Sequence, residues 1–224
     1  MLQFDQVSFS YPDGPVLDRV HFRVERGAYE GIIGPSGCGK STLMRLISGL
    51  LQTADGTIER GFERLGLVCQ EDTLIDEISI LRNITYVCND PQTARRCLQL
   101  VGLGELPEKT RAATLSKGMK KRVEIARALS INPDFLVMDE PFSGLDHVGK
   151  FALIAQLKHF LAAIDTTFLY VTHDISEALL VCDHLTVLSA RPARVLRRFE
   201  NVQQADRQQL KQAIIQLLGH ASCV

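Results

Sequence analysis

Hydrophobic and polar positions alternate from the start of the chain. In "QFDQVSFS", Phe4, Val7 and Phe9 stand among polar residues, and in "VLDRVHFRVE", Val20, Phe22 and Val24 alternate with His21, Arg23 and Glu25. A period near two marks strands with one buried face, and the turn-forming "YPDGP" between them predicts an antiparallel pair. "YEGIIGPSGCGKSTLMRLISGLL" then reads as strand, glycine loop and helix, with short strands expected at "GTIE" and "RLGLVCQ". From Asp76 to about Asn132 the period turns helical, through "ISILRNITYVC", "PQTARRCLQLVGL" and "LSKGMKKRVEIARAL", and Asn132-Pro133 stops the last of these. "DFLVMDEP" is a continuous apolar run closed by two acids, the pattern of a strand buried on both faces. A helix over 147–163, a strand at "TTFLYVTHD", a helix at "ISEALLVC" and strands at "HLTVLS" and "ARVLRRFE" follow. Near the end, Leu210, Ile214, Leu217 and Leu218 are spaced for one amphipathic closing helix over about 204–219. This order predicts a single α/β domain over residues 1–224. It has an antiparallel β-lobe at its start and a helical subdomain over about 76–132.

Composition narrows the classes. A chain of 224 residues with 46% hydrophobic positions has ample material for a core. The net charge of −1 lacks the basic excess of a duplex-binding domain, so no nucleic-acid partner is expected. Six scattered cysteines form no C-x-x-C or His-Cys cluster, which argues for reduced thiols in a cytosol and against a zinc site. The first residues lack the cationic flank and apolar run of a secretion signal, and no apolar stretch approaches the roughly 20 residues that span a bilayer. A membrane role would therefore need a partner chain.

One helix carries an oddity. "LSKGMKKRVEIARAL" places Lys117, Lys120, Lys121 and Arg122 near its start, where the helix dipole disfavours cations. A solvated face, a nucleic-acid contact or a phosphate bound at the helix start would each account for them.

The clearest chemistry lies in "GPSGCGKST", which fits G-x-x-x-x-G-K-[ST] at Gly34, Gly39, Lys40 and Ser41. Glycines let successive backbone N–H groups converge on phosphate oxygens. Lys40 would reach the β- and γ-phosphates, and the Ser41 hydroxyl would serve Mg²⁺. Asp139, at the end of the apolar strand, is the candidate metal carboxylate. Its neighbour Glu140 is the candidate for orienting or deprotonating an attacking water.

With these residues in place, the chain resembles the nucleotide-binding subunit of an ATP-binding-cassette (ABC) transporter, over essentially its whole length and with the motifs in the family's order. The resemblance implies a P-loop NTPase core that binds ATP and Mg²⁺. It assigns Tyr11 to adenine stacking, and Gly34, Pro35, Ser36, Gly37, Cys38, Gly39, Lys40, Ser41 and Thr42 to the phosphate loop. Gln70, in "LVCQED", matches the glutamine that reaches the metal and the attacking water. Ser116 and Gly118, in "LSKGM", match the signature that contacts the γ-phosphate held by a second subunit. Asp139 and Glu140 match the metal carboxylate and catalytic glutamate. Asp146, closing "SGLD", matches the loop that crosses the dimer interface. His173, in "YVTHD", matches the switch histidine. The implied assembly is a head-to-tail homodimer on multi-span permease subunits at the cytoplasmic side of the inner membrane, with an extracytoplasmic substrate-binding protein if it imports.

The signature departs from the family's usual Leu-Ser-Gly-Gly-Gln, with Lys117 for the first glycine and Met119 for glutamine. A position that needs positive φ would strain Lys117. The short segment after "ADGTI", the methionine signature, "PFSGLD" and "VLSARPARV" are similar to importer subunits for nitrate, sulfonates and taurine. "TLIDEIS" lacks the Leu-Pro-Trp common in that branch, and Ser-Lys-Gly-Met also occurs in exporters. An importer is therefore the favoured reading. An exporter subunit is the alternative, with a soluble ABC ATPase behind it.

Overall fold

The computed structural model describes residues 1–53, 55–142 and 147–220, and these fall into two compact units, Met1–Phe62 with Thr167–Val224, and Glu63–Thr166. In chain order the first unit begins with β1 (Leu2–Tyr11), β2 (Gly14–Val24), β3 (Tyr29–Ile33), α1 (Lys40–Ile47) and β4 (Asp55–Arg60). The second holds β5 (Leu65–Val68), α2 (Ile80–Cys88), α3 (Pro91–Leu100), α4 (Lys117–Leu129), β6 (Phe135–Asp139) and α5 (His147–Ala163). The chain returns to the first unit for β7 (Thr167–Thr172), α6 (Ile175–Val181), β8 (His184–Leu188), β9 (Val195–Phe199) and α7 (Arg207–His220).

In the first unit β1 and β2 pair antiparallel, as their alternation predicts, and β4 adds to the other edge of β1. Phe4 lies opposite Phe22, and their rings stack at 4.7 Å. The buried positions of β1 are not strictly alternate. Phe4 and Val7 are three residues apart, a spacing that would turn Val7 to solvent in a regular strand. A bulge corrects this: Gln6 takes φ 52 and the register shifts between Phe4 and Val7. Arg19 (φ 47) does the same in β2, between buried Leu17 and Val20. Beside this lobe a second sheet runs in the order β7-β3-β8-β9, with β7 and β8 parallel to β3 and β9 antiparallel to β8. The fully buried Glu30 of β3 is not left as a lone charge. It accepts from the Thr186 hydroxyl at 2.7 Å and from Arg198 of β9 at 2.9 Å.

In the second unit β5 and β6 form a parallel pair, and every residue of β6 is buried, as an apolar run requires. The helices start where capping chemistry places them. Ser79 caps α2, Asp90 caps α3 with Pro91 behind it, and Ser116 caps α4. All three lie in the stretch read as helical from its period.

The closing helix α7 starts at Arg207 rather than near residue 204, because residues 202–204 form a 3-10 turn and the Asp206 carboxylate takes the N–H groups of Gln208 and Gln209 at 2.8 and 3.0 Å. Among the described residues, no helix is long and apolar enough to cross a membrane.

Candidate nucleotide site

The phosphate loop connects β3 to α1, and its glycines are set by geometry. Gly37 and Gly39 take φ 77 and 118. A Cβ on Gly39 would sit 2.8 Å from Val16 Cγ1, so both backbone angle and space demand glycine there. No side chain caps α1 and no acid stands in its first turn, so the helix start offers its N–H groups to an external anion. Lys40 opens that helix. It is buried, and its ammonium folds back over the loop to donate to the carbonyl oxygens of Gly34 (2.9 Å) and Pro35 (3.1 Å). Ser36 and Gly37 face solvent, while Cys38 and Thr42 are buried.

Tyr11 ends β1. Its hydroxyl accepts from Arg45 at 3.2 Å, its ring meets Phe9 edge-on, and a hydrogen bond with the Thr42 hydroxyl holds the phenol below its ordinary range. Tyr11 is thereby tied to the helix that follows the phosphate loop. His173 follows β7 directly and is exposed, and its neighbour Asp174 caps α6 through the N–H groups of Ser176 and Glu177.

The second unit holds the acids and the signature. Asp139 is the buried last residue of β6. Glu140 comes next at φ 46, in the left-handed region that glutamate rarely occupies. Such an angle costs on the order of 1–3 kcal/mol, and residues held in it cluster at functional sites. It turns the chain sharply at the strand end, a feature that residue type alone does not reveal. Gln70 is exposed in the loop after β5. Ser116 is the N-cap of α4, its Oγ accepting the Met119 N–H at 3.3 Å. Asp146 lies outside the described residues.

Two expectations about α4 are answered. Lys117 is its first helical residue and is not among the positive-φ positions, so lysine fits without strain. The cations are not a shared phosphate contact. Lys120 bridges Asp72 (2.8 Å) and Asp76 (2.6 Å). Lys121 is buried against Glu124 (2.6 Å) and the carbonyl oxygen of Cys69 (2.7 Å). Arg122 donates to the carbonyl of Val101, at the end of α3. Only Lys117 of the four is exposed to solvent. The dipole argument fails for the others because specific acceptors, brought from elsewhere in the chain, outweigh a few tenths of a kcal/mol at a helix end.

Sequence reasoning passed over Thr73, Glu124 and Arg127, which join this cluster. The available signal was Glu124 itself, a carboxylate one turn from Lys120, Lys121 and Arg127 along the helix, the spacing at which opposite charges meet.

The sequence pattern of the ABC transporter family matches residues 17–143. The bicarbonate transport ATP-binding protein CmpD of Synechococcus elongatus is 38% identical over 204 residues, covering 83% of this chain and 73% of CmpD. The nitrate import ATP-binding protein NrtD of the same organism is 37% identical over 217 residues, covering 87% and 78%. Among solved structures, a dimeric ATP-binding cassette in a post-hydrolysis state, bound to ADP and Pi, superimposes with a TM-score of 0.81 at 25% identity, covering 89% of this chain and 98% of that one. With its phosphate loop, its P-loop NTPase fold and these relatives, the chain belongs to the ABC transporter family, as an ATP-hydrolysing subunit.

Proposed function

We propose that this chain powers import of a small solute of the nitrate, sulfonate or taurine kind, and that it does so as an ATP-closed, head-to-tail homodimer on multi-span permease subunits at the cytoplasmic face of the inner membrane. The observation that carries the import reading is its likeness, over most of its length, to subunits named for nitrate import and bicarbonate transport. A substrate-binding protein outside the membrane would deliver the solute.

The roles divide between the units. In the first, the phosphate loop binds ATP, Tyr11 stacks on the base, and Lys40 exchanges its Gly34 and Pro35 carbonyls for phosphate oxygens. His173 donates to the γ-phosphate. In the second, Glu140 takes the proton of the attacking water, Gln70 orients that water, and Ser116 and Gly118 reach the γ-phosphate held by the other copy. Asp146 serves the contact between copies.

Magnesium fits the donor set. Ser41, Gln70 and Asp139 would offer hard oxygens, and one carboxylate suffices where nucleotide phosphates supply the rest. The ion would neutralise phosphate charge during hydrolysis.

Solute uptake tests the reading. Cells lacking the native subunit and supplied with this chain and its permease should take up labelled nitrate, a sulfonate or taurine, and should stop doing so with Glu140→Gln. Export of the same solutes, or uptake indifferent to Glu140, would contradict it.

A further inference from the structure

The loop from Cys69 to Asp76 has no regular structure, yet α4 holds it at Cys69, Gln70, Asp72, Thr73 and Asp76, while Asn83 of α2 holds Ile75. Outside helices and sheets, backbone polar groups must find other partners. Lys121 donates to the carbonyl oxygens of Cys69 (2.7 Å) and Gln70 (3.4 Å). The Glu124 carboxylate accepts the Thr73 N–H at 2.5 Å and the Thr73 hydroxyl at 2.7 Å through one oxygen, and Lys121 at 2.6 Å through the other. Arg127 donates to the Thr73 carbonyl at 2.9 Å and to its hydroxyl. Lys120 ties down Asp72 and Asp76. The centre of this cluster is out of water: Lys121 and Glu124 are 3% and 1% exposed.

Burying two charges is costly, and a stable helix needs neither of them. A buried pair is best explained by what it fixes. Here it fixes the backbone on both sides of Gln70, an exposed residue whose amide has no such restraint of its own in this cluster. The same helix begins at Ser116. Loop and signature are therefore joined through one set of side chains on successive turns of α4.

We propose that Glu124 is a positioning residue for Gln70. With Lys121 and Thr73 it makes the loop 69–76 part of α4, so that the Gln70 amide and the Ser116 hydroxyl are presented by one rigid piece. This rests on the role given to Gln70 above. Glu124 does not touch nucleotide; it acts by removing freedom from the residue that does. The arrangement follows the rule that groups supporting a ligating residue cost about 10–100-fold when removed.

The test is a double-mutant cycle on the full chain, with ATP turnover and KM measured separately. Glu124→Gln should lower kcat about tenfold and leave KM for ATP within about twofold. Thr73→Val, at an exposed position that leaves the fold intact, should lower kcat by a smaller factor in the same pattern. In a Gln70→Ala background, neither change should lower kcat further. The double variant Lys121→Met with Glu124→Gln should recover no turnover, since the carbonyl oxygens of Cys69 and Gln70 then lose their donor as well. Losses that multiply with that of Gln70→Ala would overturn the positioning role while leaving Gln70's role intact. A Gln70→Ala protein as active as the unmodified chain would overturn the Gln70 role and the inference with it. If Glu124→Gln does not fold, the Thr73→Val cycle decides alone.

Discussion

The ammonium of Lys40 donates to the carbonyl oxygen of Gly34 across 2.9 Å, six residues back along the phosphate loop. Under the proposed function, this buried lysine exchanges its carbonyl acceptors for phosphate oxygens when nucleotide binds. Lys40→Met keeps the stem and removes the charge. Phosphate release should fall about a hundredfold or more, as when one preorganised donor is lost from a site of developing charge. Circular dichroism of the nucleotide-free variant should remain native. Turnover within about threefold of the unmodified chain would remove Lys40 from the chemistry.

The two glycines with positive φ in this loop should not respond alike. Gly39 has φ 118 and Val16 in the way of any Cβ, while Gly37 has φ 77 and nothing within 4 Å. Gly37→Ala carries only the left-handed backbone cost, about 1–2 kcal/mol. Gly39→Ala adds a clash, and its denaturant midpoint should fall further. Titration with a fluorescent ATP analogue should show binding lost in Gly39→Ala and weakened in Gly37→Ala. Equal effects on stability would mean that Val16 gives way.

Lys117 occupies an ordinary helical position at the start of α4. Restoring the family's usual glycine there should do little for catalysis. Lys117→Gly is expected to leave turnover within about threefold and to lower stability by less than about 0.5–1 kcal/mol, the cost of glycine in a helix interior, because the position is the first of the helix. A large gain in turnover would mean that the lysine hinders the signature.

Asp90 gives a pH-dependent signal independent of nucleotide. Its carboxylate is held below the ordinary range by the Thr93 hydroxyl and by the N–H groups of Gln92 and Thr93. A depressed carboxyl contributes stability above its unfolded value of about 3.9, and loses it as pH falls through the lower folded value. Asp90→Ala should therefore unfold at lower denaturant than the unmodified chain at about pH 7, and the gap should narrow as pH falls below the unfolded value of about 3.9. A gap that persists in acid would assign the effect to something other than the charged cap.

The order of elements was legible because the outer strands alternate, the central strands are short apolar runs, several helices carry their own period, and serine, aspartate and proline mark several helix starts directly. The bulges at Gln6 and Arg19 were also written in the sequence, as buried residues three apart, but the regular alternation around them hides the slip. The glycine loop between β3 and α1 was legible because its pattern is local. The partners of Lys120 and Lys121 were not, since Cys69, Asp72 and Asp76 lie some fifty residues upstream and only folding brings them near. The same holds for the left-handed angle of Glu140, which is imposed by the turn after β6 and not by the residue itself.

The central claim is that ATP closes two copies of this chain and that Glu140 then breaks the nucleotide. Light scattering of Glu140→Gln, with and without saturating ATP, tests it most directly. The account requires a monomer without nucleotide, a stable dimer with ATP, and phosphate release far below that of the unmodified chain. A Glu140→Gln protein that stays monomeric at saturating ATP, or one that hydrolyses ATP as fast as the unmodified chain, would contradict it.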